Sequence, residues 1–268
     1  MIKAIVMGAA GRMGRMVVNA IQGSEGITCS GAIEATGHPA VGKDAGTVAG
    51  LGELGITIGD DLRSVIQQGT VVIDFTAAEA SLKNMEIAAQ HQKPMVVGST
   101  GFSPEQLEQA RKLTKTFPCC LAPNMSVGVN LMFKVVEEMA RALGDDYDVE
   151  IVEAHHRMKK DAPSGTALRL GEVAASGLGR NWAEVGVYGR QGLIGERSRE
   201  EIGMQVIRAG DIVGEHTVIF GGVGERLEVT HRAHTRATFA RGAVRAARWI
   251  VNQKPGLYDM GDVLGLKG

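Results

Sequence analysis

The sequence predicts an α/β protein: a Rossmann-type dinucleotide-binding domain joined to a second α+β domain that carries an open, mostly antiparallel sheet. Three observations predict it. Short apolar runs alternate with helix-period segments over the first 126 residues, the pattern of parallel βαβ units covered on both faces. A glycine-rich turn, Gly8-Ala9-Ala10-Gly11-Arg12-Met13-Gly14, separates the first run from the first helical pattern. After Pro123 the texture changes to one long amphipathic helix and then alternating stretches with short connections.

In chain order, Ile2 to Met7 is too short for a helix and runs straight into glycine, as a strand buried on both faces does. Met13 to Ile21 has helical period. Val71 to Phe75 is a second buried strand, Ala77 to Gln90 a helix and Met95 to Gly98 a third strand. Ser103-Pro104-Glu105-Gln106 supplies a cap residue, a proline at the first helical position and a glutamine three on, opening a helix that ends near Thr116. Beyond it, Val129 to Leu143 is an amphipathic helix and Asp148 to Glu153 alternates like a strand. Met204 to Ala209, Glu215 to Phe220 and Arg226 to Thr230 are strand-like, and Thr238 to Asn252 is a helix expected to return to the first domain. The expected domains are 1–126, completed by 236–268, and 127–235.

Composition sets outer bounds. A chain of 268 residues suffices for about two domains. Lys+Arg 29 against Asp+Glu 30 leaves a formal charge of −1, with no global field for nucleic acid or an anionic membrane, so neither is an expected partner. No apolar stretch approaches the roughly 18–20 residues of a membrane helix, and the N-terminus lacks a basic region with a cleavage site. Cys29, Cys119 and Cys120 are an odd number without C-x-x-C spacing, which suits a reducing cytosol better than a disulfide framework or a zinc site. The expectation is a soluble cytoplasmic protein with no metal. Glycine is in excess, 37 residues against about 19 at the average usage of roughly 7%, and its positions carry the argument.

The turn from Gly8 to Gly14 meets the needs of a dinucleotide site: a tight turn, backbone N–H groups free to approach a pyrophosphate, and close helix–strand packing. Glu34 follows Gly14 by 20 residues, where a carboxylate accepts from adenosine ribose hydroxyls. It would repel a 2′-phosphate, and the next residue is Ala35, so NADH is favoured. Arg12 can still reach round to a phosphate, which keeps NADPH open. Gly98-Ser99-Thr100-Gly101 and Ala122-Pro123-Asn124-Met125-Ser126 follow later strands and are expected at the same crevice, toward the ribose and nicotinamide amide.

The densest chemistry runs from Glu153 to Leu168. His155 and His156, adjacent at a strand end, point to opposite faces and make a poor chelate, so acid–base work or substrate binding fits better. Ser164-Gly165-Thr166 opens a helix whose free N–H groups suit a carboxylate or phosphate. Other features read as structural. No nearby cysteine or acid pair completes a metal site with His231 and His234, Cys119 and Cys120 are expected to be buried, and Met125, Met132 and Met139 form one apolar face. Arg236, Arg241, Arg245 and Arg248 mark a solvated helix face or a subunit contact, and the glycines from Gly37 to Gly59 read as ordinary loop.

These motifs, with Ile73-Asp74-Phe75-Thr76, the unbroken H-H-x-x-K-x-D-A-P-S-G-T run and Arg208-Ala209-Gly210-Asp211-Ile212-Val213-Gly214-Glu215-His216-Thr217, resemble the 4-hydroxy-tetrahydrodipicolinate reductase (dihydrodipicolinate reductase) family over essentially the whole chain. The resemblance implies NAD(P)H-dependent reduction of 4-hydroxy-tetrahydrodipicolinate, a small dicarboxylate, in lysine and diaminopimelate biosynthesis. It implies a homotetramer assembled through the second domain's sheet. It makes His155 the acid–base residue, Lys159 the proton donor and His156 a substrate contact, with Gly165 and Thr166 holding a substrate carboxylate. The implied cofactor contacts are Gly8, Ala9, Ala10, Gly11, Arg12, Met13, Glu34, Gly98, Ser99, Thr100, Ala122, Pro123, Asn124 and Met125. Three departures stand out: Ala35 in place of a basic residue, Ser99 in place of threonine and Met125 in place of phenylalanine. Competing readings are another two-domain dehydrogenase of a small dicarboxylate or semialdehyde, and a non-enzymatic nicotinamide-binding module.

Overall fold

In the computed structural model, which describes residues 1–267, β1 (Ile2–Met7) sends Ala4 and Val6 into one apolar layer and Ile5 and Met7 into another. That two-sided burial is what a parallel sheet demands of its strands. Gly268, the end of the segment expected to complete the first domain, lies outside the described residues. The chain continues with α1 (Arg12–Gln22), β2 (Ile27–Ile33), α2 (Ala45–Ala49), β3 (Ile58–Gly59), β4 (Val71–Asp74), α3 (Ala78–Gln90), β5 (Met95–Val97), α4 (Pro104–Leu113) and β6 (Pro118–Leu121). Next come α5 (Val127–Leu143), β7 (Asp148–His155), α6 (Gly165–Gly177), α7 (Trp182–Val185), β8 (Gly186–Tyr188), β9 (Ile202–Arg208), β10 (Glu215–Gly221) and β11 (Arg226–Arg232). The last elements are α8 (Ala237–Ile250), β12 (Gly256–Tyr258) and α9 (Met260–Leu264). The chain divides into two compact units, Met1–Val127 with the segment from Arg236 onward, and Gly128–Thr235.

The first unit holds a seven-stranded sheet in the order β12-β6-β5-β4-β1-β2-β3, every pairing parallel. Apart from β12 this is the doubly wound order, and its direction of winding reverses between β1 and β4, so the crevice for a ligand opens past Met7 and Asp74. α1 and α8 pack on one face through Val17, Val18, Ile21, Ala243 and Val244, and α3 and α4 on the other through Leu82, Met85, Ala88 and Ala110. α8 lies tight on the loop after β6: a Cβ on Gly242 would stand 1.7 Å from the Met125 carbonyl oxygen. Ser103 caps α4 with a full capping box, as its sequence predicts.

The second unit packs α5 and α6 on one face of a five-stranded sheet, order β11-β10-β7-β9-β8, over a core that includes Met132, Val136, Leu170, Ala174, Ile151, Val218 and Phe220. This sheet is mixed rather than mostly antiparallel. β10 runs antiparallel to β7 and β11, but β9 runs parallel to β7 and to β8. The chain leaves β7 through α6 and α7 before returning, and such a crossover is what permits a parallel partner.

Two further expectations are corrected. The stretch from Gly37 to Gly59 is no ordinary loop, because the Asp44 carboxylate accepts from the N–H groups of Thr47, Leu54 and Ile56 at 2.9, 3.1 and 3.0 Å and folds it around α2 and β3. Gly46 fits there because a Cβ would lie 2.3 Å from the Gly52 carbonyl. Met125 shares no helix face with Met132 and Met139: it precedes α5 and belongs to the first unit's core, whereas Met132 belongs to the second's. Cys119 and Cys120 are buried, one in each apolar layer of the parallel sheet.

Candidate active site

In the first unit the candidate cofactor residues are positioned by backbone. Gly8 ends β1 at φ +67°, a conformation that a side chain disfavours, and turns the chain toward α1. At Gly14 a Cβ would lie 2.0 Å from the Gly8 carbonyl, so helix and strand meet with no room for one. No side chain caps α1 at Gly11 and no acidic residue stands in its first turn, so its first N–H groups face outward with the positive end of the helix dipole. Glu34, one residue past β2, accepts from the Ala10 N–H at 2.8 Å and the Ala35 N–H at 3.1 Å. Its carboxylate therefore stands at the rim of the glycine turn. The residues present fit a dinucleotide: Gly8 to Met13 for the pyrophosphate, Glu34 for a ribose diol.

A buried acid that sequence reasoning left unassigned orders the loops beside it. Asp74, the last residue of β4, is fully buried and accepts from the Thr76 N–H at 2.8 Å, the Thr76 hydroxyl at 2.7 Å and the Asn84 amide at 2.8 Å. The Ser81 hydroxyl lies 2.7 Å from that of Ser99, which itself points back toward Asp74. The Ser99 hydroxyl is thus turned inward. Gly98 is required by the ring of Phe75, whose nearest carbon would lie 2.2 Å from a Cβ. Thr100 is exposed, Asn124 folds its own loop by accepting from the Ser126 N–H at 2.9 Å, and the Met125 side chain is buried in the core.

The second unit places its chemistry at the end of β7. Glu153 and His155 are two residues apart on one strand and so share a face. In the register, His216 of β10 stands opposite Glu153, and Arg208 of β9 beside His155. Glu153 is fully buried and accepts from both terminal nitrogens of Arg208 at 2.8 Å, from His155 Nδ1 at 2.6 Å and from the Ser164 N–H at 2.9 Å. Burial alone would raise its carboxyl, but the Arg208, His155 and Ser164 hydrogen bonds outweigh it and hold the acid below the usual range. Burial draws the His155 imidazole down, against the pull of Glu153 and with the help of Lys159 and Arg208.

Ser164 caps α6, its Oγ accepting from the Ala167 N–H at 3.2 Å and lying 3.1 Å from His216 Nε2. Gly165, the first helical residue, is exposed, and a Cβ there would meet nothing within 4 Å. Packing therefore does not require glycine at that position. Lys159 pairs with Asp161 at 2.9 Å on the turn that joins β7 to α6, and Arg208 ties that turn down by donating to the Asp161 carbonyl at 2.8 Å. His155, Lys159, Gly165 and Thr166 thus lie on one strand end, turn and helix start, with His156 immediately after the strand. Sequence reasoning assigned no role to Glu153, Arg208 or His216; the available signal was an acid two residues before a histidine on a strand.

Among the described residues no group of three His, Cys, Asp or Glu is arranged to hold a metal ion, and no helix is long and apolar enough to cross a membrane. Burial pushes the Cys120 thiol up to about 12 and raises the Cys119 thiol as well, which removes the nucleophile that a phosphorylating semialdehyde dehydrogenase needs.

A doubly wound sheet with this glycine turn, followed by a separate unit rich in proton-carrying groups, defines the class: an NAD(P)H-dependent oxidoreductase. The family description "dihydrodipicolinate reductase, N-terminus" matches residues 2–125 and "dihydrodipicolinate reductase, C-terminus" residues 128–264, and the chain belongs to that family. It is 61% identical over 267 residues to the 4-hydroxy-tetrahydrodipicolinate reductase of Geotalea uraniireducens and 59% identical to that of Syntrophus aciditrophicus, covering 100% of both chains in each case. Its fold is similar to that of a dipicolinate-bound dihydrodipicolinate reductase from Paenisporosarcina sp. TG-14, at TM-score 0.77, 23% identity and 97% coverage of each chain. An amine dehydrogenase from Mycobacterium smegmatis shares the fold at TM-score 0.60 and 17% identity, covering 96% of this chain and 94% of that one.

Proposed function

We propose that the chain reduces 4-hydroxy-tetrahydrodipicolinate, with loss of water, to tetrahydrodipicolinate, on the route to diaminopimelate and lysine. The observation that carries this reading is the gathering, on one strand end, turn and helix start, of an imidazole, an ammonium and the N-terminus of α6. Those are the groups needed to hold a dicarboxylate ring and move a proton on it. Full-length identity with relatives bearing that enzyme name supports the substrate.

The dinucleotide supplies the hydride when bound. Gly165 and Thr166 at the start of α6 take a substrate carboxylate with their N–H groups, and His156 makes a further contact. Hydride addition to the dehydrated, unsaturated ring leaves an electron-rich enamine, which must take a proton at carbon. Lys159 is the donor in this reading, and His155 is the acid–base group beside it. The cofactor contacts are Gly8 to Met13, Glu34, Gly98 to Thr100 and Ala122 to Met125, with the Ser99 and Met125 contacts made by main chain.

NADH is the favoured cofactor, because Glu34 presents a carboxylate where a 2′-phosphate would stand and Ala35 provides no cation. The cytoplasm is the proposed location. Gly128–Thr235 is proposed to bind substrate and to assemble a homotetramer, for which exposed Tyr188, Ile207, Leu193 and Ile194 supply apolar surface. The test is a coupled assay in which the preceding synthase generates the substrate and NADH or NADPH is followed at 340 nm. Oxidation of neither cofactor would remove the proposed reaction.

A further inference from the structure

We infer that Glu153 is a positioning residue for the reaction: its carboxylate fixes a proton on Nδ1 of His155, so that Nε2 is presented unprotonated, and the same carboxylate holds the start of α6. The inference rests on the proposed role of His155 and of the α6 N-terminus. An ionised carboxylate can only accept, so the 2.6 Å contact to Nδ1 requires the hydrogen on that nitrogen, and neutral imidazole then carries its lone pair on Nε2. Four hydrogen bonds, two of them from Arg208, keep Glu153 ionised although no part of it reaches solvent. Removing the carboxylate would leave Arg208 without its charge partner in a largely enclosed place.

The other ring nitrogen is kept clear by a missing side chain. Gly214, just before β10, is buried, and a Cβ there would stand 3.0 Å from His155 Nε2. One neighbour therefore sets the tautomer and another leaves the free nitrogen its space. Glu153 also links two functions: the Ser164 N–H that it holds belongs to the residue capping α6. The charged and titratable groups facing His155 are Glu153 on its own strand, Lys159 on the following turn, Arg208 on β9 and His216 on β10. His216, buried and held neutral, adds no charge.

The experiment is 15N NMR of histidine-labelled enzyme with NADH bound, near pH 7, with kinetics of the variants. In the wild type, His155 is expected as the Nδ1–H tautomer; an Nε2–H tautomer overturns the inference without any variant. Glu153→Gln is expected to lower kcat by about 10²-fold or more, to change KM for NADH less than about twofold, and to move the His155 titration and the matching limb of the pH profile to lower pH. Wild-type kcat and pH profile in Glu153→Gln would overturn it. Should that variant not fold, Gly214→Ala decides: the tautomer is expected unchanged and kcat lowered about tenfold or more, and full activity overturns the part assigned to Nε2. Absence of turnover by the wild type would instead refute the proposed reaction, while the tautomer still tests the role of Glu153.

Discussion

The rings of His155 and His216 meet edge to face with centroids 5.2 Å apart, although the two residues lie 61 positions apart on neighbouring strands. Two imidazolium ions cannot share that space cheaply. Burial first, and the charge of His155 second, push His216 down to about 3. Between about pH 6.5 and pH 3 the unfolded chain binds a proton that folded His216 refuses, so stability falls as pH falls through that window. His155, also lowered, acts in the same direction from the same upper limit. Glu153 adds its loss only below about pH 4.3, the unfolded carboxyl value. The slope from His216 approaches about 1.4 kcal/mol per pH unit within its window. Urea unfolding from pH 7.5 to 4 should show the decline, and His216→Asn should flatten it; equal slopes for the two proteins would argue against a neutral buried His216.

Lys159→Ala should abolish turnover of freshly generated hydroxy-tetrahydrodipicolinate while leaving NADH binding nearly intact, since Lys159 lies in the second unit on the turn after β7. Loss of a positioned acid typically costs about 10²–10⁴-fold. Steady-state kinetics with fluorescence titration of NADH checks both halves, and near-normal activity would remove Lys159 from the mechanism.

For the cofactor, kcat/KM with NADH should equal or exceed that with NADPH. Glu34→Ala should narrow the difference by weakening NADH binding and relieving repulsion of a 2′-phosphate. A strong NADPH preference that survives Arg12→Ala would mean that another cation serves the phosphate.

Two glycines should respond oppositely. Gly242→Ala drives a methyl group into the Met125 carbonyl and should cost about 1–3 kcal/mol by urea midpoint with an unchanged slope. Gly165→Ala meets nothing in the protein, so stability should stay within about 0.5 kcal/mol while KM for the dicarboxylate rises. A stable Gly242→Ala protein would mean that α8 shifts easily on its loop.

In the first unit β1, α1, β4, α3, β5 and α4 were legible because apolar runs, helical period and the glycine turn are local signals, whereas β2 and β3 were missed and Val71–Phe75, expected as the second strand, is β4. The run from His155 to Thr166 was legible because its residues adjoin in the chain. The Asp44 knot was not, since one carboxylate replaces a hydrophobic period over 13 residues. Nor were β12 and α9, three and five residues long, whose stability comes from neighbours rather than pattern. Short connections pointed to an antiparallel sheet, and the crossover through α6 made half of it parallel.

By itself, the sequence determined which groups the proposed chemistry is assigned to: backbone N–H groups at Gly8 to Gly14, the acid at Glu34, and the imidazole, ammonium and helix start between His155 and Thr166. Local patterns suffice for that, because each motif is a few residues long. Only the tertiary structure decided how these groups are tuned. Arg208 lies 55 residues from Glu153 and His216 lies 52 from Ser164, yet the pairing of β9 and β10 with β7, and the start of α6 beside them, bring each pair to hydrogen-bond distance. The protonation of a buried imidazole is set by such neighbours rather than by its own place in the chain.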